Sequence, residues 1–211
     1  MEEKSENRAR ILEESRKLFY NLGYKKVTMD DIARNMGMSK KTLYKYFDGK
    51  YEIMKTIVHD VIDDLSNGID QIILDEHLSY PAKLRKMLSF VGLHLSKISP
   101  RLMEDMQVNL PELWEEVNRY KRDSAFKRFY KLIEEGKRKK LINDQVNHHL
   151  IVVLYASATQ NLLDPGFLYQ LPQDILEKIP QSPAEIFDNL VNIIYEGILT
   201  EDTKQEFRGT V

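Results

Sequence analysis

Between Lys40 and Tyr46 six side chains carrying ammonium, hydroxyl or phenol groups fall within seven residues: Lys40, Lys41, Thr42, Tyr44, Lys45 and Tyr46. Leu43 and Phe47, four apart, take the opposite side of a helix through this stretch. An ammonium donates to phosphate oxygens or to guanine O6 and N7, while Tyr and Thr reach phosphate or a thymine methyl. The chemistry offered is non-covalent recognition of a duplex. Bond-making chemistry finds no comparable constellation. No two Gly stand two apart, so a dinucleotide fingerprint is absent, and neither a phosphate-binding loop nor an HExxH zinc pattern occurs. The absence of Cys removes disulfides, thiolate metal sites and cysteine nucleophiles together. His59 and Asp63, at i and i+4, supply half a metal site at most and read as a surface pair; His148 and His149 point ~100° apart on a helix. We assign no catalytic residue, no metal ligand and no cofactor.

The elements that position the Lys40–Tyr46 surface follow from periodicity. Ile11, Leu12, Ser15, Leu18, Phe19 and Leu22 form an amphipathic stripe over 8–22 that stops at Gly23. Thr28 and Asp31 form a capping box, with Val27 and Ile32 as its hydrophobic staple. Met29, Ile32, Ala33 and Met36 define two helical turns ended by Gly37, and Ser39 caps a further short helix, Lys40 to Tyr46. Packing through Ile32, Ala33, Met36, Leu43 and Phe47 against 8–22 makes a helix-turn-helix with its polar face turned outward. Such a helix enters the major groove N-terminus first, which makes Lys40 and Lys41 the leading base readers. Further helices are expected at 50–67, 81–98, 101–109, 111–140, 147–164 and 183–200, with an irregular connector between the last two, where four of the seven Pro lie. No stretch alternates long enough for a strand, so the fold class is all-α.

Charge agrees with this layout. The 211 residues hold 31 Lys+Arg and 33 Asp+Glu, but residues 1–50 carry 12 basic and 8 acidic groups, leaving 19 and 25 in residues 51–211. A basic end on an acidic body suits a modular nucleic-acid binder; a solvated basic helix face is the plainer alternative. The charged start lacks an apolar signal region, and the longest apolar run, Leu150 to Ala156, is far below the ~20 residues of a membrane span. A soluble, cytoplasmic protein is expected.

The run Thr28-Met-Asp-Asp-Ile-Ala-Arg-Asn-Met-Gly-Met-Ser-Lys-Lys-Thr-Leu-Tyr-Lys-Tyr-Phe47, followed by Asp-Gly-Lys50, resembles the N-terminal signature of TetR-type transcriptional regulators, a likeness spanning roughly residues 8–55. It implies that Thr28 and Ser39 contact the DNA backbone and that Lys40, Lys41 and Tyr44 face bases, with Thr42 at their boundary. It also implies that Lys45, Tyr46 and Lys50 clamp phosphates. Lys41 stands where the motif often has a small residue. The same resemblance implies a helix-turn-helix domain at 1–50 and, at 51–211, a helical effector-binding and dimerisation domain. The expected partners are a palindromic double-stranded operator and a second copy of the chain. A small apolar or aromatic effector that releases the protein from DNA makes it most simply a repressor.

In the body, the stripes Leu150, Val153, Leu154 with Ala156, Ser157 and Ala158, and Phe187, Leu190, Val191, Ile194 and Ile198, suit a bundle shared with a partner, or else the monomer's own core. Candidate effector contacts are Phe90, His94, Met103, Met106, Trp114, Tyr120, Phe126, Tyr155 and Gln160, since Met and aromatics supply adaptable apolar area. Two other readings remain: a DNA-binding protein without an effector, marked by a closed and fully packed body, and an enzyme with a vestigial DNA head, which the missing catalytic motifs disfavour.

Overall fold

The computed structural model describes residues 2–209 apart from Ser96, Asp144, Leu163, Gln181 and Thr200. All regular elements among them are helical, joined by one isolated antiparallel bridge, Ile142 to Leu199. The chain divides into two compact units: Met1–Asp63 with Lys97–Val117, and Asp64–Ser96 with Asn118–Val211. This differs from the expected boundary at residue 50, because the hydrophobic core of the first unit needs more chain than three helices provide.

In the first unit, α1 (Glu2–Leu22) begins six residues earlier than expected; four of the six added residues are Glu or Lys, good helix formers that need no burial. Its apolar face buries Ile11, Leu12 and Phe19. The helices α2 (Met29–Asn35) and α3 (Lys40–Leu43) bury Met29, Ile32, Ala33 and Leu43 in the same core, with Met36 and Phe47. The expected helix Lys40 to Tyr46 is shorter: after Leu43, the amides of Lys45 and Tyr46 bond three residues back, to Thr42 and Leu43, tightening the chain into a turn. The core is completed by Ile53, Met54, Ile57 and Val58 from the start of α4 (Lys50–Leu74), by Leu102 and Met106 of α6 (Pro100–Asn109), and by Leu110 and Leu113.

The second unit contains the rest of α4, α5 (Tyr80–Leu95) and the long run 111–138 from Asn118 onward. That run was expected as one helix over 111–140 but is α7 (Pro111–Ser124), a π-helical turn (Ala125–Phe129) and α8 (Tyr130–Arg138). After α9 (His148–Asn161), the connector holds two single turns, α10 (Pro165–Leu168) and α11 (Gln173–Leu176); α12 (Pro183–Ile198) and α13 (Glu201–Gly209), the last unforeseen, end the chain. The other expected helices shift by a few residues at their ends, except that α4 runs seven beyond 67 because Ile69, Ile72 and Ile73 continue its buried stripe. Phe129 stacks on Tyr155 at 4.1 Å between centroids, within a core of Tyr80, Leu84, Leu132, Ile133 and Ile151. A bidentate pair joins Arg128 to Asp70 at 3.0 Å, and the buried Lys83 ammonium donates to the Ile73 carbonyl and to Glu135. Burial pushes the Glu135 carboxyl up, but hydrogen bonds from Lys139 and Lys83 outweigh it and hold the group below its ordinary value.

Two predictions follow from this packing. Gly23 has φ +81°, and a Cβ there would stand 2.5 Å from Asp105 Oδ2. Gly23→Ala should therefore lower the unfolding free energy by about 2 kcal/mol, read from urea midpoints at constant slope. Because the folded-state pKa of Glu135 is depressed, its ionised contacts stabilise fully above the ordinary carboxylate value and are lost as pH falls through the lower one. The urea midpoint of the unsubstituted chain should fall more steeply between pH 5 and 3 than that of Glu135→Gln.

Candidate nucleic-acid interface

Two caps set the geometry of the outward surface. The Thr28 hydroxyl accepts the Asp31 amide at 3.2 Å and donates to Asp31 Oδ2 at 2.6 Å, while the Thr28 amide donates to that same oxygen at 3.0 Å. These bonds from Thr28 hold the Asp31 carboxyl below its ordinary value. Val27 and Ile32, the two halves of the staple, are both buried. One turn later Gly37, at φ +64°, lets the chain reverse, and the Ser39 hydroxyl accepts the Thr42 amide at 3.0 Å and lies 2.8 Å from the Thr42 hydroxyl. A Cβ-bearing residue at position 37 would be strained in that left-handed conformation.

With Leu43 and Phe47 buried, the rest of the turn faces outward. Lys40, Lys41, Tyr44 and Lys45 are exposed, with Tyr44 at 46%; Thr42 and Tyr46 are half-buried. Lys40 reaches back to Asp30 of α2 at 3.0 Å, and this pair raises its pKa. An exposed pair of this kind is weak and screened by salt, so a phosphate or base can displace the carboxylate at little cost. Lys41 and Lys45 make no ion pair among the described residues. The structure thus brings Thr28, Ser39, Lys40, Lys41, Thr42, Tyr44, Lys45 and Tyr46 into one segment of the first unit.

Lys50, expected to clamp phosphate, is engaged by the chain's own backbone in this structure. Its ammonium donates to the carbonyls of Tyr24 and Val27, each at 2.9 Å, and lies 4.2 Å from the centroid of the Tyr24 ring. Desolvation lowers its pKa against the pull of Asp105. Asp105, on α6, also accepts the Lys25 amide at 2.9 Å. Lys50 and Asp105 therefore anchor the loop 23–27, which aims the cap of α2. Sequence reasoning did not find Asp105: it lies 80 residues from Lys25, and no spacing rule connects them.

The expected effector contacts divide between the two units. Met106 of α6 is buried in the core of the first unit and Trp114, on α7, packs against that core; Met103, on α6, is half-buried. In the second unit, half-buried Phe90 packs over Gly68 and beside His94, whose Nδ1 lies 2.9 Å from the Phe90 carbonyl; the Tyr120 hydroxyl accepts from Ser66 at 3.3 Å. Tyr155 is buried against Phe129, and Phe126 is exposed. The side chain of Gln160 lies outside the described residues, as do those of Phe187, Val191, Ile194 and Ile198. An open groove of about 660 Å³ in the second unit is lined by none of these residues; Lys83, Glu135 and Lys139, paired with one another, form part of its wall. His59 pairs with Glu116 at 2.9 Å, and among the described residues no group of three His, Cys, Asp or Glu is placed to hold a metal. No helix among the described residues is long and apolar enough to cross a membrane.

A buried two-helix scaffold with a cationic, phenol-bearing outer turn is the design of a helix-turn-helix DNA-binding protein. Comparison with known proteins makes the class specific. Residues 11–57 match the sequence profile of bacterial regulatory proteins of the tetR family. Over 194 residues the chain is 24% identical to YvaF, an HTH-type transcriptional regulator of Bacillus subtilis, covering 92% of this chain and 96% of that one. A TetR/AcrR-family regulator from Thermobifida fusca superposes with a TM-score of 0.63 at 19% identity, covering 91% of this chain and 98% of that one. SmeT, repressor of a multidrug efflux pump of Stenotrophomonas maltophilia, solved in complex with triclosan, superposes with a TM-score of 0.63 at 14% identity over 93% of each chain. Residues 11–57 thus carry a tetR-type helix-turn-helix, and the all-helical fold of the chain is similar to that of TetR-type transcriptional regulators.

Replacing Lys50 leaves two carbonyls of the 23–27 loop without their donor. We expect Lys50→Ala to lower the unfolding free energy by about 1–2 kcal/mol and to weaken binding to every duplex alike, whereas a residue that only meets phosphate would leave stability unchanged. Paired urea titrations and DNA-binding isotherms separate the two roles.

Proposed function

We propose that this protein is a homodimeric, sequence-specific cytoplasmic regulator that leaves a palindromic operator when a small apolar or aromatic molecule binds its body, and so acts as a repressor. The observation that carries the reading is the outward turn after Ser39: Lys41, Tyr44 and Lys45 are exposed on a scaffold whose opposite face is wholly buried. In this reading Lys40, Lys41 and Tyr44 meet base edges, Thr42 lies at their boundary with phosphate, and Lys45 and Tyr46 hold phosphates. Thr28 and Ser39 stand at the helix N-termini beside the duplex backbone, where a hydroxyl hydrogen turned outward donates to phosphate, and Lys50 acts by fixing the loop. Residues 51–211 supply the effector and dimer functions, apart from those that complete the core of the head.

Dimerisation draws support from α9. Ile151, Val152, Tyr155 and Ala156 are buried, while Leu150, Val153 and Leu154 stand exposed on the other side, Leu154 at 58%, followed one turn later by the small Ser157. An uncovered apolar stripe of this kind is suited to a partner helix. On α12, Ile193 is likewise exposed. Two heads on one duplex must sit ~34–36 Å apart, which a two-fold dimer provides. The effector reading is supported by the triclosan complex of SmeT, itself a repressor, and by the half-buried Phe90–His94 ring pair of the second unit. Shifting a DNA-competent population from 99:1 to 1:99 takes a ~10⁴-fold preference of effector for the released form, about 5.5 kcal/mol.

Fluorescence anisotropy with the intergenic DNA upstream of the chain's own gene tests the reading. We expect tight, salt-sensitive binding with clear preference over random duplex; equal affinity for both at moderate salt would overturn it. Lys41→Ala or Tyr44→Ala should cost ~1–3 kcal/mol on the preferred site and reduce that preference. Leu154→Glu should convert a dimer to a monomer in sedimentation experiments.

A further inference from the structure

We propose that Arg8, on α1, is an additional phosphate-binding residue of the DNA surface, held in place by the ring of Phe47; the proposal rests on the DNA-binding reading above. The Arg8 guanidinium carbon lies 4.7 Å from the centroid of the Phe47 ring. Phe47 is 1% exposed and follows directly on Lys45 and Tyr46, so Arg8 covers it at the edge of the outward turn. A guanidinium whose carbon lies over a ring spends its positive charge on the ring face and keeps rim N–H groups, which match a phosphate in bidentate fashion.

Arg8 differs from several other cations of the first unit in lying over an aromatic ring with no carboxylate partner among the described residues. Arg16 pairs with Asp60, Lys17 with Glu13 and Glu14, Arg34 with Asp31 and Lys40 with Asp30. Arg8 is exposed, and no ion pair to it occurs among the described residues. A cation that is held by stacking but left uncompensated by protein suits an anion that arrives from outside. The duplex backbone presents such an anion beside the residues that read it. The α1 helix reaches Arg8 with a full turn to spare, because it begins at Glu2. Arg10, also exposed, lies two residues and ~200° further round the same helix, on a different face from Arg8, so it serves as a control of equal charge.

The test is the salt dependence of duplex binding for the full chain, Arg8→Gln and Arg10→Gln, by anisotropy between 50 and 200 mM salt on the upstream intergenic DNA and on random duplex. Removing one phosphate contact should reduce the log–log salt slope by about 0.9, so that the affinity deficit of Arg8→Gln shrinks about 3.5-fold across that range on both DNAs. Arg10→Gln should keep the original slope. An unchanged slope for Arg8→Gln, or an equal change for both variants, would overturn the assignment while leaving the DNA-binding reading standing. Failure of the unsubstituted chain to bind either duplex at 50 mM salt would overturn both.

Discussion

Everything at the DNA-binding end depends on one constraint: two helices of seven and four residues cannot hold their own shape in water and must be fixed from outside. The fixing is done at the loop 23–27. Lys50 takes two of its carbonyls, Asp105 takes the amide of Lys25, and Gly23 supplies the left-handed turn that starts it. Val27 then enters the core as half of the staple over Ile32, and Thr28 closes the capping box. From that point α2 has one available direction, and the turn at Gly37 sets α3 from it. The polar outer face results from satisfying every inner one.

The same constraint explains why the head takes in α6. The core formed by Ile11, Phe19, Ile32 and Leu43 is closed by Leu102 and Met106 on one side and by Ile53 and Ile57 of α4 on another. A three-helix unit of fifty residues would leave part of that surface in water, and domains of that size are marginal on surface-to-volume grounds. Extending the unit through Asp63 and adding Lys97–Val117 supplies the missing cover.

Legibility in the sequence followed the range of the interactions. Local signals were clear: the Thr28–Asp31 box, the Val27–Ile32 staple, Gly23, Gly37 and the Ser39 cap act within four residues or by backbone conformation alone. The buried face of α2 and α3 was equally plain, since the periodicity of Ile32, Ala33, Met36, Leu43 and Phe47 allows one solution. Non-local placements were not legible. Lys50 has the residue type of a phosphate clamp and the geometry of a loop anchor, and only the fold separates them. Met106 and Trp114 have the composition of a ligand pocket, yet they pack into the core of the first unit from α6 and from the start of α7. The π turn at 125–129 leaves no mark in composition, and the short turns α10 and α11 lie where Pro suggested irregular chain.

Lysine acylation read by mass spectrometry, with and without operator duplex, addresses the central claim most directly, because it reports on the outer face and the inner anchor in one experiment. The account requires Lys41 and Lys45 to react readily in the free protein and to be shielded by DNA. Lys50, half-buried on two carbonyls, should react slowly in both states. Lys41 and Lys45 that remain equally reactive on bound operator, or a freely reactive Lys50 that DNA alone protects, would contradict it.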